Sequence, residues 1–158
     1  MTGKAYYEMM RQLAVHHADI RHNDATPHYF RKELDEFYMG LRNNVNFPAL
    51  IVEGFNLYYD TSPILQRKRR ESSFIVVMNY DDDTDYEQID DAFDYCEHIG
   101  DELLRKIITQ TEEATCAFTV DDISAVQVQN ETDRYVGIRY TLTYSSPFDT
   151  DADNDKWI

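Results

Sequence analysis

Histidine, cysteine and carboxylate are the residue types in this chain that could hold a metal or move a proton, and their spacing argues against both roles. His16 and His17 are adjacent, so on a helix they point about 100° apart and cannot face one ion. His22 follows His17 across an expected helix end, and His28 lies beyond the next turn. No HExxH, CxxC or mixed Cys/His framework occurs. Cys96 falls on an apolar helical stripe, where a small buried thiol is expected, and Cys116 is too distant in sequence to make a motif with it. The run Asp149-Thr150-Asp151-Ala152-Asp153-Asn154-Asp155 alternates oxygen donors as a calcium loop does, but Asn154 stands where such a loop needs glycine. Thirty acidic residues offer so many carboxylate pairs that none is marked out for acid–base work. Nucleophile-elbow, P-loop and dinucleotide glycine patterns are missing. The expectation is a chain with no catalytic residue, no cofactor and no metal.

What the chain has in excess suits contact rather than chemistry. It carries twelve tyrosines, Tyr58 and Tyr59 among those on or beside expected elements, and the run Arg67-Lys68-Arg69-Arg70 holds four of the fifteen basic residues. Tyr and Arg supply much of the energy of protein–protein interfaces. The acidic residues cluster in Asp81-Asp82-Asp83, Asp85, Asp90-Asp91 and Asp149 to Asp155. A net charge of −15 disfavours phosphate backbones and anionic lipid, so neither sequence-specific nucleic acid nor membrane is an expected partner. Charge segregation of this kind suits an acidic block on one copy meeting the basic run on another. Candidate interface residues are therefore Arg67, Lys68, Arg69, Arg70, Tyr58, Tyr59 and the apolar Trp157. The start, Met1-Thr2-Gly3-Lys4, has no signal-peptide run, which gives a cytoplasmic expectation.

The positioning elements follow from periodicity. Tyr6, Met9, Met10, Leu13, His17 and Ile20 share one helical face over the first 21 residues. Thr26-Pro27 reads as the start of a second helix, with Phe30, Leu34, Phe37, Tyr38 and Leu41 on its stripe, so the N-terminal part is expected to be a helical hairpin. Phe47 to Asp60 alternates as a strand with Gly54 a bulge site, Thr61-Ser62-Pro63 breaks it, and the basic run is expected in the loop that follows. Ser73 to Asn79 reads as a central strand buried on both faces. Thr84-Asp85-Tyr86-Glu87 fits a capping box opening a long helix to about Thr109, with Arg105 and Lys106 near its end. Its stripe is Ile89, Phe93, Cys96, Gly100, Leu103, Leu104 and Ile107, and Gly100 on it predicts close approach to the sheet. Ile123 to Gln129 and Tyr135 to Tyr144 then form a hairpin around Asn130-Glu131-Thr132-Asp133. The class is α+β: a helical hairpin, then about four mainly antiparallel strands with one long helix packed on them. Residues 1–148 are expected to form one domain and 149–158 an acidic tail.

This order of elements, with Phe47-Pro48-Ala49-Leu50-Ile51-Val52-Glu53, the helix opening at Thr84, and Asp133-Arg134-Tyr135-Val136-Gly137-Ile138-Arg139-Tyr140 before a closing Ser-Ser-Pro, resembles the tail-terminator and tail-completion (neck) proteins of tailed bacteriophages and phage-like contractile particles. The resemblance covers about Phe47 to Phe148. It implies a non-catalytic structural protein that forms a ring, commonly of six subunits, caps the tail tube, and docks other tail or neck proteins in the particle. A ring of this kind needs two different complementary surfaces on each subunit. The alternative is a small acidic binding module, of inhibitor or immunity type, that engages a basic partner.

Overall fold

A computed structural model of the chain describes residues 2–31, 33, 45–113 and 119–149. Among these, helix α1 (Gly3–His16) leads to strand β1 (Tyr29–Phe30), then β2 (Ala49–Thr61), β3 (Gln66–Asn79), helix α2 (Tyr86–Glu113), β4 (Thr119–Asn130) and β5 (Tyr135–Pro147). The strands form one sheet in the order β1-β2-β3-β5-β4. All pairings are antiparallel except β1 with β2, where Tyr29 and Phe30 run parallel to Leu50 and Ile51. The α+β class holds, with a five-stranded sheet and two helices among the described residues.

Several boundaries differ from those the sequence suggests. Helix α1 opens where the Thr2 hydroxyl accepts from the Ala5 N–H at 3.2 Å and stops at His16, five residues short of the expected end. Ile20 still reaches the core, but from the turn beyond the helix. Tyr29–Phe30 is strand, so the second expected helix does not begin at Pro27; Leu34, Phe37, Tyr38 and Leu41 lie outside the described residues. The cap of α2 is Asp85, whose Oδ1 accepts from the Gln88 N–H at 3.1 Å. Thr84 is not the cap because its hydroxyl and N–H both bond to Asp82 Oδ1, and these bonds hold the Asp82 carboxyl below its ordinary range. Helix α2 also runs four residues past Thr109, leaving Arg105 and Lys106 outside its last turn.

Both helices cover one face of the sheet. Tyr6, Met10 and Ala14 of α1 and Ile89, Phe93, Cys96, Ile99, Leu103 and Ile107 of α2 pack on Leu50, Val52, Phe74, Val76, Val136, Ile138, Tyr140 and Leu142. At about 1.5–3 kcal/mol for each large apolar side chain removed from water, this layer dominates the stability. The strand alternation puts Ala49, Ile51, Ile75 and Val77 on the opposite face, covered by Phe30, Val45 and Phe47. The expected bulge is present as a register shift between Val52 and Phe55, which brackets Gly54. One edge of the sheet is β4, where a register shift between Asp121 and Ser124 and a left-handed Asp122 (φ 51°) interrupt the ladder, a device that blunts open edges.

The buried thiol of Cys96 points at the Val136 carbonyl, 3.9 Å away. Burial pushes it up to about 12, so near neutrality it is protonated and unreactive. In a Cys116→Ser chain at about pH 8, a soluble disulfide reagent should label Cys96 only as fast as the protein unfolds globally. Rapid labelling under native conditions would show that α2 lifts from the sheet on its own.

Candidate interaction surface

The basic run does not lie in a loop. Arg67 to Arg70 form the first half of β3, paired with β2 on one side and with β5 on the other. Charged residues have low strand propensity, but that preference is set by neighbours rather than by the backbone. The neighbours here are aromatic. The register places Tyr58 opposite Arg69 and Tyr59 opposite Lys68, and the cations lie over those rings at 5.9 Å and 5.5 Å. Phe148 adds an edge-on contact to Tyr59. Cation–π pairs at exposed sites contribute about 0.5–1 kcal/mol each, enough to hold the cations in extended chain.

Beyond the bulge, the ends of β2 and β3, with β5 still paired along β3 as far as Arg67, form an arm of the sheet closed by a turn at 62–65. Leu57, Tyr58 and Tyr59 are adjacent along β2, so they occupy both faces, and all three are exposed. Ile64 at the tip is 97% exposed and Leu65 is exposed beside it. An apolar tip flanked by Arg67 and Arg69, both exposed, is an uncommon surface for an isolated soluble chain. Six of the seven residues singled out from sequence are thus in one region, and Trp157 lies outside the described residues. The correction is Arg70, which is only 7% exposed and has its guanidinium carbon 3.9 Å over the Phe55 ring. It belongs to the base of the arm, not to its surface.

The opposite charge sits elsewhere. Asp81, Asp82, Asp83 and Asp85 before α2, and Glu87, Asp90, Asp91, Asp94 and Glu97 along it, are all exposed. The helix stripe that packs on the sheet turns these carboxylates outward. The chain consequently carries a basic, aromatic arm and a separate acidic helix face.

Two groupings that sequence reading missed involve ionisable side chains held by structural bonds. His17 Nε2 lies 3.0 Å from Glu102 Oε2, and Glu102 Oε1 lies 3.4 Å from His98 Nε2. With Asp19, the ligand atoms of His17 and Glu102 fall within 4.8 Å of one another. The Asp19 N–H donates to His17 Nδ1 at 3.2 Å, which makes Nδ1 the acceptor and leaves the ring hydrogen on Nε2, donated to Glu102. A metal at Nε2 would have to displace that hydrogen onto a nitrogen already facing a donor. The pair instead ties the end of α1 to α2. On the other face, a polar cleft of about 260 Å³ includes Glu33, Glu53 and Glu71. Glu33 accepts from the Gly54 N–H at 2.9 Å and Glu53 from Arg139 Nη2 at 2.7 Å, so two of its three carboxylates already hold the sheet. The pairings that close these groupings have no spacing visible in sequence, because His17 and Glu102 are 85 residues apart and Glu53 and Arg139 are 86 apart.

No described helix is long and apolar enough to cross a membrane. The chain matches no protein-family model and no curated protein sequence.

Proposed function

We propose that this protein is a non-catalytic assembly component that works by fitting its basic, aromatic arm against the acidic α2 face of the next copy, closing a ring of the kind that caps or joins a phage or phage-like tail. The observation that carries this reading is the arm itself, with apolar and cationic side chains exposed at the far end of the sheet in a chain of net charge −15. Two unlike surfaces on one subunit give a heterologous contact, and such a contact closes into a ring when its rotation permits. The resemblance of residues 47–148 to tail-terminator and neck proteins supplies the biological setting, a role in the virion or particle after assembly in the cytoplasm, and an expected count of six. The acidic α2 face also supports a second reading, a monomeric module that binds a basic partner.

Solution mass separates the two. Light scattering after size exclusion should give a mass near six times 18.7 kDa in dilute salt, falling as added salt screens the contact. Reversing Arg67, Lys68 and Arg69 together to Glu should weaken association by about a hundredfold or more, since like charges would then face each other. A monomer at all concentrations, or a triple variant that assembles unchanged, would remove the ring.

A further inference from the structure

At the base of the arm, where α1 begins, three cations share one cleft. Lys4, Arg11 and Arg31 line an open cleft of about 440 Å³. Among the described residues, Lys4 and Arg31 make no ion pair, and Arg11 makes a loose one at 3.7 Å with an almost fully exposed Asp24. The one carboxylate on the cleft wall, Glu8, is engaged by the Gln12 amide. Below them, Arg70 is nine-tenths buried and its Nη1 has no hydrogen-bond partner. That nitrogen lies 3.2 Å from where a Cβ on Gly3 would sit, and Gly3 itself lines the cleft. The buried guanidinium adds fixed positive charge beside the cleft.

The rings in the cleft narrow the class of ligand. Arg31 stacks 3.5 Å over Tyr7 and Arg70 stacks 3.9 Å over Phe55, so guanidinium planes occupy ring faces that a nucleobase would need. Stacking leaves the guanidinium edges, with their N–H groups, free to bond in plane. Cations placed around a cleft suit a polyvalent tetrahedral oxyanion, whereas a single carboxylate is satisfied by one guanidinium fork. The first turn of α1 contains no acidic residue, and the positive end of the helix dipole lies at that side of the cleft.

The geometry points to an anion site at the start of α1, in which Lys4, Arg11 and Arg31, backed by Arg70, bind a polyvalent oxyanion of the phosphate class. The site is independent of ring formation. It is tested on the full chain by calorimetric titration with inorganic pyrophosphate, against sodium chloride at matched ionic strength. Expected is saturable one-site binding and a rise in unfolding temperature beyond that given by chloride. Lys4→Gln with Arg31→Gln, which remove no ion pair, should leave the circular dichroism spectrum unchanged and weaken pyrophosphate by about tenfold or more, the worth of one charge-assisted hydrogen bond. Absence of binding beyond the chloride control, or equal affinity in the double variant, overturns the site. A short single-stranded oligonucleotide then distinguishes the source of the phosphate. Competition with pyrophosphate means that the site takes phosphate carried on nucleic acid, and pyrophosphate binding without competition means a free polyphosphate.

Discussion

Gly100→Ala should destabilise this protein, although the same change in most exposed helices stabilises. Alanine is favoured over glycine in a helix by about 1 kcal/mol. At Gly100 that gain meets a wall. A Cβ there would sit 2.1 Å from Tyr140 Cε2 and 2.6 Å from Cζ, far inside van der Waals contact. The ring has no room to retreat, because its other face stacks on Phe74 with centroids 5.0 Å apart and planes 7° from parallel. Its hydroxyl is also fixed, 2.9 Å from Asp101 Oδ1 and 3.1 Å from the Glu97 carbonyl. Either the ring leaves its stack or α2 rises from the sheet, and both lose packing across the main core. Overpacking of this kind costs about 1–3 kcal/mol and more where nothing can move. The net expectation is a loss of about 2 kcal/mol, read in urea melts or as a fall in unfolding temperature of about 4–8 °C. Combining it with Tyr140→Leu should cost less than the two changes separately, by about 1 kcal/mol of coupling. A Gly100→Ala chain as stable as the parent would show that α2 does not rest on Tyr140 as described.

Gly100 was legible because its signal is local: a glycine on an apolar helical stripe has few uses other than close approach. The same holds for β5, whose Val136, Ile138, Tyr140, Leu142 and Tyr144 alternate within ten residues and face one core. Pairings set by distant partners were not legible. Tyr29 and Phe30 look helical beside Pro27, yet they become strand because Leu50 and Ile51 offer them a parallel ladder. Arg67 to Arg70 look like a loop because nothing in four consecutive cations suggests a sheet; their strand is made by Tyr58 and Tyr59 on one side and by Tyr144 to Pro147 on the other. The capping box failed for a different reason. Thr84 and Asp85 are both good caps, and the choice was made by Asp82, which takes the Thr84 hydroxyl for itself. The candidate interaction residues were therefore readable by type, as tyrosines and cations, but their pairing was not. The cleft at α1 was invisible for the same reason, since Lys4, Arg31 and Arg70 are separated by tens of residues.

The burial of Arg70 makes the four cations separable by experiment, and this gives the largest expected contrast. Arg70→Glu should cost about 3 kcal/mol or more, the penalty for replacing a buried, stacked guanidinium by a carboxylate in a nearly dry site. The substitution removes the guanidinium stacked on Phe55 and puts a carboxylate beneath the start of α1, opposite Tyr144 in β5. Reversing Arg67, Lys68 and Arg69 instead changes exposed or half-exposed positions. Loss of two cation–π contacts should cost about 1–2 kcal/mol together, well within the stability of a folded domain of this size. The triple variant should keep its circular dichroism spectrum and a cooperative melt while losing association; the Arg70 variant should lose the melt first. If both sets of changes unfolded the chain, the arm would be part of the core and not a surface. If Arg70→Glu were tolerated as well as the others, the buried guanidinium would have no structural role, and the separation between the base of the arm and its face would disappear.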